Sequence, residues 1–238
     1  MSAESNTNPV SAVGVRNSRL PLWSKLAFTA FMAVLVPYYW TSYGPTNFLY
    51  FCDVALFLTL GAFWLEKPLL ASMPAVGILV PQALWMADFL TSLVGFPLAG
   101  LTSYMFDPNL SLTTRGLSFF HFWLPIVLVI LVWRLGYDRR AFTAWTVLAW
   151  GLMLVCYFFM PAPPALPATE DGVRPPVNIN YVYGLSNDVA QTWMPAPAWL
   201  ATLMIGIVPI CYVPAHVILT KLFGRHPDSD STATTANS

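Results

Sequence analysis

The sequence predicts an all-α membrane protein, a bundle of six transmembrane helices with both termini cytoplasmic and a long Pro-rich outer loop between helices five and six. Three observations lead to this prediction: six apolar stretches of span length, a charged fraction of only 9%, and a one-sided distribution of Lys and Arg. Roughly 20 apolar residues cross a ~30 Å hydrocarbon core as a helix, whereas a soluble domain is typically about 25% charged. Lipid is therefore expected to solvate most of the surface.

The six apolar stretches belong to one helical domain, residues 21–222. Its far more polar flanks, 1–20 and 223–238, have little to bury, which predicts disordered cytoplasmic ends. The first stretch is span-length and ends in aromatic residues rather than in a small-residue cleavage site, so we expect a retained helix and not a signal peptide. The predicted spans are 22–40, 47–66, 69–90, 117–135, 142–160 and 199–222.

The basic residues predict the orientation of the bundle. Nine of the eleven fall on one side of a six-span topology, and translocation disfavours basic residues in short loops, so that side is predicted to be cytoplasmic. Short cytoplasmic loops and the lack of a retention signal favour a cytoplasmic, inner-type cell membrane. Aromatic residues cluster at the opposite, outer side, as is typical of an interface: Tyr38, Tyr39, Trp40, Tyr43, Trp193 and Trp199.

Two segments between the spans are too irregular to cross the membrane. Residues 91–106 are apolar but short and broken by Gly and Pro, which predicts a re-entrant or interfacial segment. Residues 161–197 hold eight prolines, which exclude a regular helix and place this segment outside the membrane. Its middle, 177–184, changes to amides and aromatics, and we expect it to fold back as a cap over the bundle.

Ionisable residues inside the predicted spans mark a candidate site, because each costs roughly 2.5 to 3.5 kcal/mol on insertion. Counting ~1.5 Å per residue from the span ends puts several reactive groups in one layer near the outer surface, with Gln82 ~9 Å deeper. His216 lies near the cytoplasmic side and is left out. We expect an outward-facing polar pocket of Cys52, Asp53, Gln82, Asp88 and His121, capped by Asn178, Asn180 and Tyr181.

Each of these residues also has a purely structural interpretation. A buried Cys commonly packs as a small apolar group, and a His between helices can simply hydrogen-bond a carbonyl. The sequence contains no Gly-rich phosphate loop, no zinc-ligand spacing and no basic patch typical of nucleic-acid binding. We therefore expect no cofactor, no metal site and no nucleic-acid partner. Membrane lipids are the expected partners, and the sequence predicts no oligomeric state.

Five short motifs follow one another along roughly residues 45–185. They are Leu49-Tyr50-Phe51-Cys52-Asp53-Val54-Ala55-Leu56, Gln82-Ala83-Leu84, Phe119-Phe120-His121, Gly136-Tyr137-Asp138-Arg139 and Asn180-Tyr181-Val182-Tyr183. Their order and spacing, rather than any single motif, resemble those of the integral membrane family of YwaF-like and transmembrane protein 164-like proteins.

The resemblance implies a lipid acyltransferase or lipid hydrolase with Cys52 as nucleophile and His121 as its base. A thiol needs a base or a lowered pKa to attack an ester, and His121 would supply that base. Asp53 or Asp88 would orient the His121 ring. A non-enzymatic transporter or carrier could instead use Asp53, Asp88 and His121 as a polar pathway. The concentration of these groups on the outer side favours a one-sided pocket. A structural or assembly protein is the third alternative.

Overall fold

The computed structural model describes residues 19–167 and 174–224, and every regular element within these ranges is a helix. Residues 1–18 and 225–238, on which the prediction of disordered ends mainly depends, lie outside the described residues. Three short 3₁₀ helices, Pro45–Leu49, Ser103–Phe106 and Ile179–Tyr181, lie between the longer elements. The α-helices are α1 (Leu22–Tyr43), α2 (Phe51–Leu65), α3 (Pro68–Leu93), α4 (Leu112–Ser118), α5 (Phe120–Leu135), α6 (Ala141–Phe159), α7 (Ala196–Ile207) and α8 (Val213–Phe223).

Five helical stretches are long and apolar enough to cross a membrane. Two of them join shorter elements: α4 continues into α5 through Phe119, and α7 continues into α8 through the π-helical turn Val208–Tyr212. The prediction of an all-helical protein is thus confirmed for the described residues, and the five long apolar helices are compatible with a multi-pass membrane protein. The five stretches are Leu22–Tyr43, Pro68–Leu93, Leu112–Leu135, Ala141–Phe159 and Ala196–Phe223.

The second predicted span, 47–66, is shorter than expected. Only the 15 residues of α2 form its α-helix, about 22 Å in length. The chain breaks at Tyr50, where the Asn180 side chain accepts a hydrogen bond from Phe51 N (3.0 Å) and donates one to Leu49 O (2.9 Å). A continuous helix would satisfy these two backbone groups internally. An amide from the segment between α6 and α7 does so instead, and α2 can therefore begin at Phe51.

Helix α3 is the centre of the bundle and packs against α2, α5, α6 and α8. Small buried residues on α3, among them Ala71, Ala75 and Gly77, let its neighbours approach closely, as is common between membrane helices. A Cβ built on Gly77 would lie 1.8 Å from Cε2 of Trp145, so the packing of α6 onto α3 requires glycine here.

One end of the bundle carries the α2–α3 and α5–α6 connections, and we call it the basic end. Glu66 takes a left-handed conformation (φ 50°) after α2, and Pro68 starts α3 at once. In the other connection, Asp138 N donates to Ser72 Oγ (3.0 Å). The opposite end, with segments 94–111 and 160–195, is the loop end. The basic residues described at the basic end are Arg19, Lys25, Lys67, Arg134, Arg139, Arg140 and Lys221.

Candidate functional site

The short helix α2 places Cys52 and Asp53 below the loop end of the bundle. Helices α1 and α3 are ~33 Å and ~39 Å long, against ~22 Å for α2, and α2 joins α3 through a short connection at the basic end. The first turn of α2 therefore lies at least ~10 Å below the ends of its neighbours at the loop end. The Pro45–Leu49 turn and residues 177–183 lie over it, held by the two hydrogen bonds of Asn180.

Heights counted from the basic end correct the predicted layer. Cys52 on α2, Gln82 on α3 and His121 on α5 all lie ~20 Å from the ends that their helices share there. Gln82 is therefore level with Cys52 rather than ~9 Å deeper, and Asp88 lies ~9 Å further toward the loop end. The prediction counted from outer ends, but α2 begins four residues later than expected and α3 continues to Leu93.

Asp88 has a structural role. Its side chain is fully buried, and Oδ1 accepts hydrogen bonds from Ala99 N (2.7 Å) and Gly100 N (3.0 Å). Oδ2 accepts from Thr102 N (2.9 Å) and Thr102 Oγ1 (2.7 Å). These four donors tie the exposed apolar segment 93–100 to α3, and they occupy the carboxylate that we expected to face the pocket.

Asp53 differs from Asp88 in its bonding. It is 3% exposed, and Oδ2 accepts one hydrogen bond, from Asn47 Nδ2 (3.1 Å). Oδ1 is buried without a hydrogen-bond partner among the described residues, as is Oε1 of Gln82. A buried acceptor without a partner costs about 1 to 3 kcal/mol, so each of these atoms requires an explanation.

His121 is oriented with one ring nitrogen free. Its Nδ1 lies 2.7 Å from Ser118 O, and because a carbonyl only accepts, Nδ1 carries the proton. In the neutral ring Nε2 then holds a lone pair and can act as a base. The imidazole stacks on Trp85 at 5.3 Å between centroids. No hydrogen bond joins His121 to the Cys52 sulfur in the described part of the chain.

Tyr39 connects α2 to His121 on one side of the site. Its hydroxyl bonds to Ser118 Oγ (3.1 Å), and the Ser118 carbonyl accepts from His121. Tyr39 also lies close enough to Cys52 and Asp53 to interact with them electrostatically. Side chains from α1, α4 and α5 thus meet beside His121, and the α2 side chains Cys52 and Asp53 lie within electrostatic range of them.

Tyr104, from the Ser103–Phe106 turn, closes the site on the other side. It lies within electrostatic range of Cys52, and its hydroxyl lies beside Trp85 Nε1, although that buried N–H makes no hydrogen bond. Burial raises the pKa of Tyr104, so its hydroxyl stays protonated and can donate. We call the residues connected in this way the polar cluster: Tyr39, Cys52, Asp53, Trp85, Tyr104, Ser118 and His121.

The polar cluster contains residues that the sequence did not single out. Trp85 is three residues after Gln82 on α3, and Ser118 is three residues before His121, so helical spacing puts each pair on one face. Tyr39 resembled an ordinary interfacial aromatic, and Tyr104 lies in the irregular segment 91–106. Helical spacing could have found Trp85 and Ser118, but no local signal identifies Tyr104.

The predicted cap residues divide into two kinds. Asn180 holds the start of α2, and Asn178 holds its own loop through Gly184 O (2.9 Å), Ser186 O (2.9 Å) and Tyr183 N (2.8 Å). Both take a left-handed conformation that Asn tolerates better than most residues. Tyr181 is 42% exposed, and its side chain lies within electrostatic range of Cys52.

Other polar groups of the bundle lie apart from this site. Nδ1 of His216 is 2.6 Å from the Tyr137 hydroxyl at the basic end. The described residues include no group of three His, Cys, Asp or Glu placed to hold a metal ion. Buried side-chain atoms elsewhere that lack a hydrogen-bond partner are Arg115 Nε, Trp145 Nε1, Tyr212 Oη and Thr220 Oγ1.

No protein-family model matches the chain, and no curated protein or solved structure matches it either. The function has to be argued from the site itself, since an all-helical membrane fold supports many activities.

Proposed function

We propose that the chain is a six-span protein of the cytoplasmic, inner-type cell membrane, with both termini in the cytoplasm. The short helix α2, second in chain order, would cross the membrane in addition to the five long helical stretches. We further propose that the polar cluster is an outward-facing pocket for the ester and head-group region of a membrane lipid. One observation carries this proposal: Asp53 Oδ1 of the polar cluster and Gln82 Oε1, at nearly the same height on α3, are buried without hydrogen-bond partners among the described residues. Native structures satisfy nearly all such atoms, so a bound molecule is the simplest partner for both.

The chemistry of these atoms fits a lipid. Trp85 Nε1 and the Tyr104 hydroxyl can donate to an ester carbonyl, while Asp53 Oδ1 and Gln82 Oε1 can accept from a hydroxyl or an amine. A site ~20 Å from the basic end lies at the depth of the hydrocarbon, which membrane lipids reach laterally.

Lipid retention tests the pocket. Purified protein carrying Asp53→Asn and Gln82→Leu is compared with Asp107→Asn, whose carboxylate serves an exposed turn. Native mass spectrometry of membrane extracts should find a co-purified lipid on the wild type and on the control, and less of it on the double variant. Equal retention by all three proteins would refute the pocket.

Thiol labelling tests the topology. In a background with Cys52, Cys156 and Cys211 replaced by Ala, a single Cys is placed at exposed Leu185 in the outer loop or at Lys67 in the α2–α3 connection. An impermeant reagent added outside intact cells should label position 185 and not position 67. The reverse pattern would invert the topology.

The geometry of His121 favours a second, more specific function, acyl transfer, which the resemblance to the YwaF-like and transmembrane protein 164-like family also implies. Its Nδ1 is fixed by Ser118 O, which leaves Nε2 free to take the Cys52 thiol proton. The sulfur would attack the ester carbonyl, and the alcohol would leave with that proton. The enzyme-bound thioester would then pass its acyl group to a second alcohol or to water, which regenerates the thiol.

Covalent labelling tests this chemistry. Cys52→Ala should abolish acyl labelling by a lipid with a tagged acyl chain, while Cys156→Ala should keep it. His121→Ala should resemble Cys52→Ala, and the double variant should lose no more, because a nucleophile and its base act as a unit. Labelling that survives in Cys52→Ala would eliminate the acyl-enzyme and leave lipid binding as the function.

A further inference from the structure

The basic end of the bundle contains an open cleft that the function proposed above does not use. Its volume is about 440 Å³, within the usual range for small-molecule sites. Pro68 and Leu135 form part of an apolar floor, and Tyr137, Asp138, Arg19 and Arg139 also line it. The cleft lies where α3 begins and α5 ends, at the membrane interface of a spanning bundle.

The cleft is positively charged because its acidic residue is already neutralised. Asp138 is bound by Arg140, with Nη2 to Oδ2 at 2.7 Å and Nε to Oδ1 at 3.1 Å. These hydrogen bonds hold the pKa of Asp138 below its usual range, so the ion pair persists at neutral pH. The guanidinium groups of Arg19 and Arg139 form no hydrogen bond or ion pair with any described residue, and both residues are exposed.

The remaining polar group of the cleft is not available to a ligand. The Tyr137 hydroxyl lies 2.6 Å from His216 Nδ1, and Tyr137 N donates to Phe223 O (3.4 Å). A ligand would therefore meet two free guanidinium groups above an apolar floor. Arginine binds phosphate oxygens through its planar fork of donors, and an apolar floor suits the glycerol and upper acyl chain of a lipid.

We propose that this cleft binds the phosphate group of an anionic membrane lipid, with Arg19 and Arg139 on the phosphate oxygens and Pro68 and Leu135 against the lipid's apolar stem. The charge of the cleft selects anionic over zwitterionic lipids. In the topology proposed above, the basic end lies at the cytoplasmic leaflet, where anionic lipids attract basic residues. This site is distinct from the polar cluster, and neither proposal depends on the other.

Lipid titration by native mass spectrometry tests the cleft. Wild type, Arg19→Gln/Arg139→Gln and the control Arg134→Gln/Lys221→Gln are each titrated with phosphatidylglycerol and with phosphatidylcholine. The control removes the same charge from the same end, outside the cleft lining. The wild type and the control should prefer phosphatidylglycerol, and the cleft variant should bind it at least about tenfold more weakly, as the loss of ~1.4 kcal/mol or more would produce.

Two further measurements make the result decisive. Both cleft residues are exposed, so the thermal midpoint in detergent should stay unchanged; if the double variant does not fold, each single variant replaces it. Equal weakening in the control, or no preference for phosphatidylglycerol, would overturn the proposal. Inorganic phosphate should compete only weakly, because it lacks the apolar stem; strong competition without phosphatidylglycerol binding would overturn the assignment to a lipid.

Discussion

Two buried aspartates on neighbouring helices, Asp53 and Asp88, are held in opposite ways. Around Asp88, four donors from the segment 99–102 use both oxygens, so the carboxylate acts as the anchor of a turn. Around Asp53 the described residues supply one donor, Asn47 Nδ2, and leave one buried oxygen without a partner. Both residues have the same chemistry and nearly the same burial. The number of donors separates the structural residue from the candidate functional one.

This difference indicates how the fold supports its site. Asp88, whose two carboxylate oxygens both accept hydrogen bonds, fixes the segment that leads to Tyr104, and Tyr104 lies at the edge of the polar cluster near Trp85 and Cys52. Asp53, which accepts a single hydrogen bond among the described residues, lies within that cluster. The four hydrogen bonds at Asp88 hold the segment that closes the site, so a polar atom there can stay without a partner while the fold around it remains in place.

The largest effect is expected from Asp88→Ala. It removes four hydrogen bonds to a buried charged group and leaves three backbone N–H groups of the segment 99–102 without their acceptor, so we expect a loss of about 3 kcal/mol or more in the free energy of unfolding. Thermal unfolding in detergent measures it, with Asp107→Ala in an exposed turn as the control. A change no greater than that of the control would mean that the segment does not depend on Asp88.

A smaller loss is expected from Asn180→Ala. It removes the acceptor for Phe51 N and the donor to Leu49 O, and it places Ala at a left-handed position (φ 59°). We expect about 2 kcal/mol of destabilisation, with reduced protection of the α2 amides in hydrogen exchange. Asn109→Ala, in an exposed turn, is the matched control. Unchanged exchange in α2 would contradict the idea that the cap holds this helix.

Most of the fold could be predicted from sequence because hydropathy records which residues face lipid. Predicted span 69–90 corresponds to Pro68–Leu93, and 142–160 to Ala141–Phe159. The break at Tyr50 could not be predicted, because the side chain that makes it possible is 129 residues from Phe51. Local composition across 47–66 continues to favour a helix. A long-range hydrogen bond overrides that preference.

Part of the candidate site could be proposed from sequence. Cys52, Asp53, Gln82 and His121 were singled out because ionisable or amide groups are rare in spans, and the helices of the structure place each of them at a height near ~20 Å. Asp88 was grouped with them because its backbone donors, at Ala99, Gly100 and Thr102, carry no signal in the sequence. Tyr104 was missed because tyrosine is common wherever a chain meets the interface.

Asp53→Asn is the sharpest test of the comparison, since it should separate stability from binding. Asn keeps an acceptor for Asn47 Nδ2 and has nearly the same volume, so the free energy of unfolding should change by less than about 1 kcal/mol. Lipid retention should fall. Chemical denaturation and native mass spectrometry on the same sample measure both. A loss of stability as large as that of Asp88→Ala would place Asp53 among the structural residues.

The smallest effect is expected at a third carboxylate, Asp138. Both of its oxygens accept hydrogen bonds, as those of Asp88 do, but the donor is the largely exposed Arg140. Its hydrogen bonds to Arg140 lower the pKa of Asp138, so the pair contributes stability above the unfolded-state value of about 3.9 and loses it as pH falls through the folded value. Because Arg140 is 80% exposed, solvent screens the pair and its contribution should be small. Asp138→Asn should therefore flatten slightly the decline in stability as pH falls below the unfolded-state pKa, and Arg140→Gln should flatten it equally. An acid slope that is identical in wild type and in both variants would show that the pair contributes nothing. If Asp138→Asn instead lowered the free energy of unfolding at neutral pH as much as Asp88→Ala does, the number of hydrogen-bond donors would set the stability that a carboxylate contributes. The exclusion of water around those donors would then matter little.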